Sequence, residues 1–283
     1  MKFVVCYHSI DETRKTSTSP KLYERQLILL KFLNDKYRSV TKSNLIEIHF
    51  DDGYDNNFAP IIRAAKSGFE VKFFISTDYI DSNELFFWDA IDWVPLEILS
   101  NLGVETLRDC QNKQEVVQKI SELETQERRE ITSLLTKTAL NLAPNLLDYL
   151  KPITGERIQE LNKIKNVAIN SHTLSHGSLG RMSNKGVQFT NEIHESISKL
   201  KALGIPENRS FAYPFGTPKD LLAEDNLDLM KKYFDYAYTT ECRAGTNKDP
   251  SLLIPRVVVQ NYSNAMLLSV LIRSLLKNLR IAK

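Results

Sequence analysis

The sequence has little of what marks a secreted, fibrous or nucleic-acid-binding chain. Its three cysteines, Cys6, Cys110 and Cys242, are widely separated and show no Cys-x-x-Cys spacing. A disulfide framework and a zinc ribbon are thus excluded as readings, and reduced thiols are expected. No apolar run approaches the roughly 18 residues a bilayer crossing needs, and the apolar stretch Phe3 to Tyr7 is too short for a signal-peptide core. As given, the chain reads as cytoplasmic, with an envelope location open if a leader was removed. Lys plus Arg number 37 against 35 Asp plus Glu, a net charge of +2, so no basic field argues for a nucleic-acid partner. Gly- or Ser-rich linkers and repeats of fixed period are absent, which favours one domain over residues 1–283.

What is present is an ordinary globular composition, 42% hydrophobic and 25% charged, in a chain of 283 residues that can bury roughly three quarters of its unfolded surface. Short apolar runs alternate with helix-spaced patterns, the signature of an α/β fold with parallel strands. Strands are expected at Phe3 to Tyr7, Leu45 to Phe50, Val71 to Ile75, Val167 to Asn170, Ser210 to Tyr213, Tyr236 to Thr239 and Arg256 to Val259. Helices are expected at 22–33, Ala59 to Lys66, Gly155 to Lys163 and through Ile193, Ile197 and Leu200. From about 85 to 150 the strand rhythm lapses, and Val116, Ile120, Leu123, Ile131 and Leu135 recur at helical intervals, which reads as a helical insertion. Ala265 to Lys283 reads as a final amphipathic helix with Ser269, Arg273, Lys277 and Arg280 on its polar stripe. Packing on the core is favoured for it over contact with a membrane surface.

In parallel α/β folds the reactive side chains gather where strands end, because the loops there converge on one face. Phe50-Asp51-Asp52-Gly53 leaves a strand with two carboxylates pointing in different directions, so that one can hold a metal while the other faces a substrate. Ser171-His172-Thr173-Leu174-Ser175-His176 follows another strand, and histidines four apart on a helical turn lie on one side. Together these residues offer the His, His and carboxylate set of a catalytic zinc site. In Phe211-Ala212-Tyr213-Pro214-Phe215-Gly216 a strand ends in a Pro-fixed turn whose backbone N–H groups can face an oxyanion.

In this order the three segments resemble the three motifs of the NodB-homology polysaccharide deacetylases, carbohydrate esterase family four. The resemblance runs from about Tyr7-His8 to Arg256 and takes in Phe87-Trp88-Asp89. It implies a distorted (β/α) barrel of about seven strands, a divalent metal usually taken as zinc, and hydrolysis of N-acetyl groups on a glycan or amino sugar. It implies further that Asp51 is the general base, that Asp52, His172 and His176 hold the metal, and that the Tyr213 backbone N–H binds the oxyanion. Ala212 stands where many such proteins carry an arginine that orients the catalytic aspartate, and Arg256 is the candidate replacement. A Leu-x-His segment near the C-terminus, the usual source of the general acid, is missing, and His8 at the end of the first strand is the candidate for that role.

His49 shares its strand side with Asp51 and reads as a buried structural histidine rather than a supporting group of the site; His194 reads as solvated. Trp88 and Trp93 read as cover for the barrel before sugar platforms. Two other functional readings remain at this point: a metal-dependent amidohydrolase acting on a formyl or other non-glycan amide, and a glycan-binding protein without catalysis.

Overall fold

The computed structural model describes residues 2–13, 17–182, 185–221 and 227–281. Strand β1 (Phe3–Tyr7), helix α1 (Pro20–Thr41), β2 (Ile46–Phe50), α2 (Phe58–Lys66) and β3 (Val71–Ile75) alternate as the apolar pattern predicts. All five side chains of β1 and of β2 are buried, as in a parallel sheet covered on both faces. Helix α1 is longer than the predicted 22–33. Ser19 caps it by accepting from the Leu22 N–H, Pro20 opens its first turn, and it stops only at Lys42, which takes a left-handed conformation.

The predicted insertion is helical: α3 (Phe87–Trp93), α4 (Leu96–Ser100), α5 (Lys113–Glu122), α6 (Thr125–Leu142) and α7 (Leu147–Leu150). It has its own apolar centre, built from residues such as Phe87, Ile91, Ile120 and Leu135. The chain then runs through α8 (Gly155–Asn162), β4 (Val167–Ser171), α9 (Lys185–Thr190), a π-helical turn (Asn191–Glu195), α10 (Ser196–Ala202), β5 (Ser210–Ala212), α11 (Leu227–Tyr233), β6 (Tyr236–Tyr238), β7 (Val257–Val258) and α12 (Asn264–Ile281).

The seven strands are parallel, in the order β6-β5-β4-β3-β2-β1-β7. The stretch 254–258 brings the two edges together. Ile254 donates to Ala237 O and accepts from Thr239 N beside β6, at 2.8 and 2.9 Å, while Val257 and Val258 pair with Val5 and Cys6 of β1. The sheet thereby curls into a distorted (β/α) barrel. The last strand is shorter than the predicted Arg256 to Val259 because the chain changes partners between Ile254 and Val257, leaving Arg256 outside the ladder.

The three cysteines are free, with Cys6 and Cys110 buried and Cys242 exposed. Helix α12 packs inward through Leu267 and Leu271. Arg273 and Lys277 of the predicted polar stripe are exposed; the Arg280 side chain and the last two residues lie outside what is described. Among the described residues no helix is long and apolar enough to cross a membrane.

Candidate metal centre and active-site cavity

The parallel register brings the ends of β1, β2, β4 and β5 to one face, and a cavity of about 380 Å³ opens there. Its lining includes His8, Asp51, Asp52, His172 and His176, so all of these sequence-predicted residues meet. Tyr213 also reaches it, and Arg256 lies buried beneath Asp51.

Asp52 follows β2 in a left-handed conformation, φ 74°, and Gly53 continues the turn at φ 106°. A side chain at Gly53 would place its Cβ 2.9 Å from Ile75 Cγ2, so the turn behind the two aspartates requires glycine. His172 and His176 do not sit on a helical turn. The chain after β4 is an irregular loop, with Thr173 at φ 68° and His176 at φ 61°, and it is this fold-back that aims both rings at Asp52. Among the described residues, Asp52, Thr173, His176 and Phe215 are four of the six non-glycine residues with positive φ. Strain thus concentrates at this face of the barrel, as it does where surrounding structure fixes a functional geometry.

The Nε2 atoms of His172 and His176 lie 3.5 and 3.4 Å from the same Asp52 oxygen, and the three donor atoms all fall within 4.8 Å of one another. Donors at bonds of roughly 2.0–2.1 Å around a tetrahedral ion stand about 3.3 Å apart, so the set fits a divalent cation such as zinc. The His172 Nδ1–H donates to Ala212 O at 2.8 Å, which leaves the Nε2 lone pair facing Asp52. Burial drives the His176 ring down to about 4 despite its Asp52 contact, the neutral form that a metal ligand needs. Burial alone would raise the Asp52 carboxyl, but hydrogen bonds to the two imidazoles hold it well below the usual range.

Asp51 is nearly inaccessible and is gripped at both oxygens by Arg256, with Nη1–Oδ1 and Nη2–Oδ2 both 2.8 Å. Arg256 Nε donates to Thr239 O at 3.1 Å. Burial pushes the Asp51 carboxyl up, yet the Arg256 charge, with lesser help from His172, outweighs it and brings the group to about 2. Asp51 is therefore a carboxylate at neutral pH.

The Tyr213 backbone N–H is not free for an oxyanion. It donates to Tyr238 O at 3.1 Å and ends the β5–β6 ladder. Pro214 has no N–H, so the next donor is Phe215, which lines the cavity, takes φ 61° and makes no backbone hydrogen bond through its N–H within the described chain. Within the 211–216 turn the sequence singles out Tyr213, whereas the structure leaves Phe215 as the cavity-lining residue whose N–H has no backbone acceptor among the described residues.

His8 follows β1 directly rather than ending it. His49 is fully buried away from the cavity, with Nε2 2.6 Å from Glu47 Oε1, and His194 is exposed. Trp88 stands over the site with its ring 4.1 Å from that of His176, and its Nε1–H donates to the Tyr54 hydroxyl at 2.8 Å. Trp93 is outside the cavity and 41% exposed.

Residues 38–233 match the family model for polysaccharide deacetylase. No curated protein sequence matches the chain. Two Bacillus structures described as polysaccharide deacetylases, from Bacillus anthracis and Bacillus cereus, superpose with TM-scores of 0.60 and 0.59; each is 18% identical over 95% of this chain and 68% of its own. The Streptococcus pyogenes deacetylase PplD, solved with acetate, gives a TM-score of 0.58 at 15% identity over 95% of this chain and 97% of its own.

Proposed function

The chain belongs to the polysaccharide deacetylase family, and from that premise we propose that it is a metal-dependent hydrolase that removes an N-acetyl group from an amino sugar within a glycan. The observation that carries this reading is the meeting, in one cavity, of the Asp52, His172 and His176 donor set with a separately anchored carboxylate, Asp51.

Asp52, His172 and His176 would hold a divalent metal, which when bound would supply Lewis acidity and ease the deprotonation of water. Asp51 accepts the proton of the water that adds to the acetyl carbon, and Arg256 keeps its carboxylate in one orientation throughout. The Phe215 N–H is the donor available to the developing oxyanion in place of Tyr213. As the carbon–nitrogen bond breaks, His8 gives a proton to the departing amine, and acetate and the free amino sugar result. Arg256 also supplies a guanidinium to Asp51 although Ala212 cannot, which removes one of the two grounds for a catalytically silent glycan binder.

A second cavity of about 490 Å³ shares Phe215 with the first and is bordered by Gln114 and Gln118 of α5 and by Thr217. Room and hydrogen-bonding groups beside the reaction site favour a sugar chain over a small formyl amide.

The test is acetate release from N-acetylglucosamine oligomers, with and without chelator. Release that a chelator abolishes and added zinc restores is expected. Metal-loaded protein that frees no acetate from any N-acetylated glycan, yet hydrolyses a formyl amide or merely binds the sugar, would overturn the reading.

A further inference from the structure

We infer that the buried ion pair between Arg128 of α6 and Glu192 of the π-helical turn is a positioning device for the loop that carries His172 and His176, so that the helical insertion is part of the metal centre. The inference rests on the metal-site reading above.

Both side chains are fully buried, and their partners converge on that loop. Glu192 Oε2 accepts the backbone N–H groups of Leu174 and Ser175 at 3.0 and 2.9 Å. Its Oε1 accepts the Ser175 hydroxyl at 2.5 Å, the Thr125 hydroxyl at 2.8 Å and Arg128 Nη1 at 2.9 Å. Arg128 spends its remaining donors on the Ser175 hydroxyl oxygen and on the carbonyls of Ile120, Ser121 and Leu123, where α5 passes into α6. The hydroxyl of Ser175, the residue before His176, touches both charges.

Two further observations tie the pair to the loop. A Cβ at Gly177, the residue after His176, would lie 2.6 and 2.8 Å from the Arg128 guanidinium nitrogens, so the guanidinium fits against the loop only because residue 177 is glycine. Ser178 N–H donates to Ser121 O at 2.9 Å, a second strap from the insertion. The loop between these ties holds Thr173 and His176 at positive φ, conformations that a β-branched residue and a histidine keep only when neighbours impose them. A buried ion pair is a poor source of stability, since well-packed apolar residues of similar volume do as well or better. Its use here is geometric: nine hydrogen-bonding contacts of the pair fix the height and tilt at which His176 meets Asp52. Supporting groups of this kind typically govern metal affinity by about 10 to 100-fold.

The experiment measures zinc affinity by competition with a chromogenic chelator, alongside the melting temperature of the metal-free protein. Glu192→Gln is expected to weaken zinc binding by about 10 to 100-fold, and Ser175→Ala, which removes the bridging hydroxyl and leaves both charges paired, by a smaller factor. Leu30→Ala, a truncation in the core beneath α1, is expected to lower the melting temperature with zinc affinity unchanged. Should Glu192→Gln fail to fold, Ser175→Ala decides. Zinc affinity within twofold of the parent in the folded variants, or an equal loss in Leu30→Ala, would overturn the inference while leaving the metal site standing. A parent protein that binds zinc no better than Asp52→Ala would overturn the metal reading and this inference with it.

Discussion

Arg256 and Asp51 stand 205 residues apart in the chain and meet through two parallel hydrogen bonds of 2.8 Å, both side chains almost wholly removed from water. Each charge is tolerable there only because of the other. Arg256→Met should therefore cost about 3–5 kcal/mol of stability by leaving Asp51 buried and unpaired, and the double variant Asp51→Asn with Arg256→Met should recover much of it. Urea unfolding of the single and double variants checks this. Strict additivity of the two losses would contradict it.

The two adjacent aspartates should divide by role. Asp52→Ala, His172→Ala and His176→Ala should each lose metal, whereas Asp51→Asn should retain it and turn over about 10² to 10⁴ more slowly, the usual contribution of a general base. Metal content by mass spectrometry, paired with acetate release, separates the cases. Equal metal loss in all four variants would refute the division.

His8→Ala should leave metal content untouched and lower turnover by about 10² to 10⁴, or roughly 3–5 kcal/mol of transition-state stabilisation. A leaving amine with lower basicity should restore part of the lost rate, because it has less need of a proton. A rate close to that of the parent would move the role to water.

One residue before the end of β2, burial presses the His49 imidazole down to about 4, further than its Glu47 partner can lift it from the ordinary 6.5. The unfolded chain then binds the extra proton first, so this group makes stability fall as pH drops from about 6.5 towards 4, by up to about 3 kcal/mol, and leaves it unchanged above that window. His49→Gln should flatten the parent's slope of unfolding free energy over that range. Parallel slopes in the two proteins would refute the assignment.

Most of the barrel was legible because strands covered on both faces are predominantly apolar, and short runs such as Phe3 to Tyr7, or Val71 to Ile75 with its single Lys72, stand out between helix-spaced segments. The donor set was legible for a related reason: Asp51, Asp52 and His172 leave their strands directly, so sequence position dictates spatial position. Where the backbone departs from regular structure, spacing misleads. His172 and His176 suggest a helical turn, yet Thr173 and His176 take left-handed conformations. Tyr213 looked free because the end of the ladder is not visible in composition, although Pro214, which has no N–H, marks Phe215 as the next available donor. Arg128 and Glu192 were illegible because nothing local links residues 64 apart.

The stretch 254–258 bridges the two edges of the sheet and also delivers Arg256 to Asp51. One short segment thus does two jobs: without it the sheet would stay open between β6 and β1, and Asp51 would lack its counter-charge. A proteolytic cut between β6 and that piece would undo both together, so loss of the closed barrel and loss of hydrolysis should be inseparable in time.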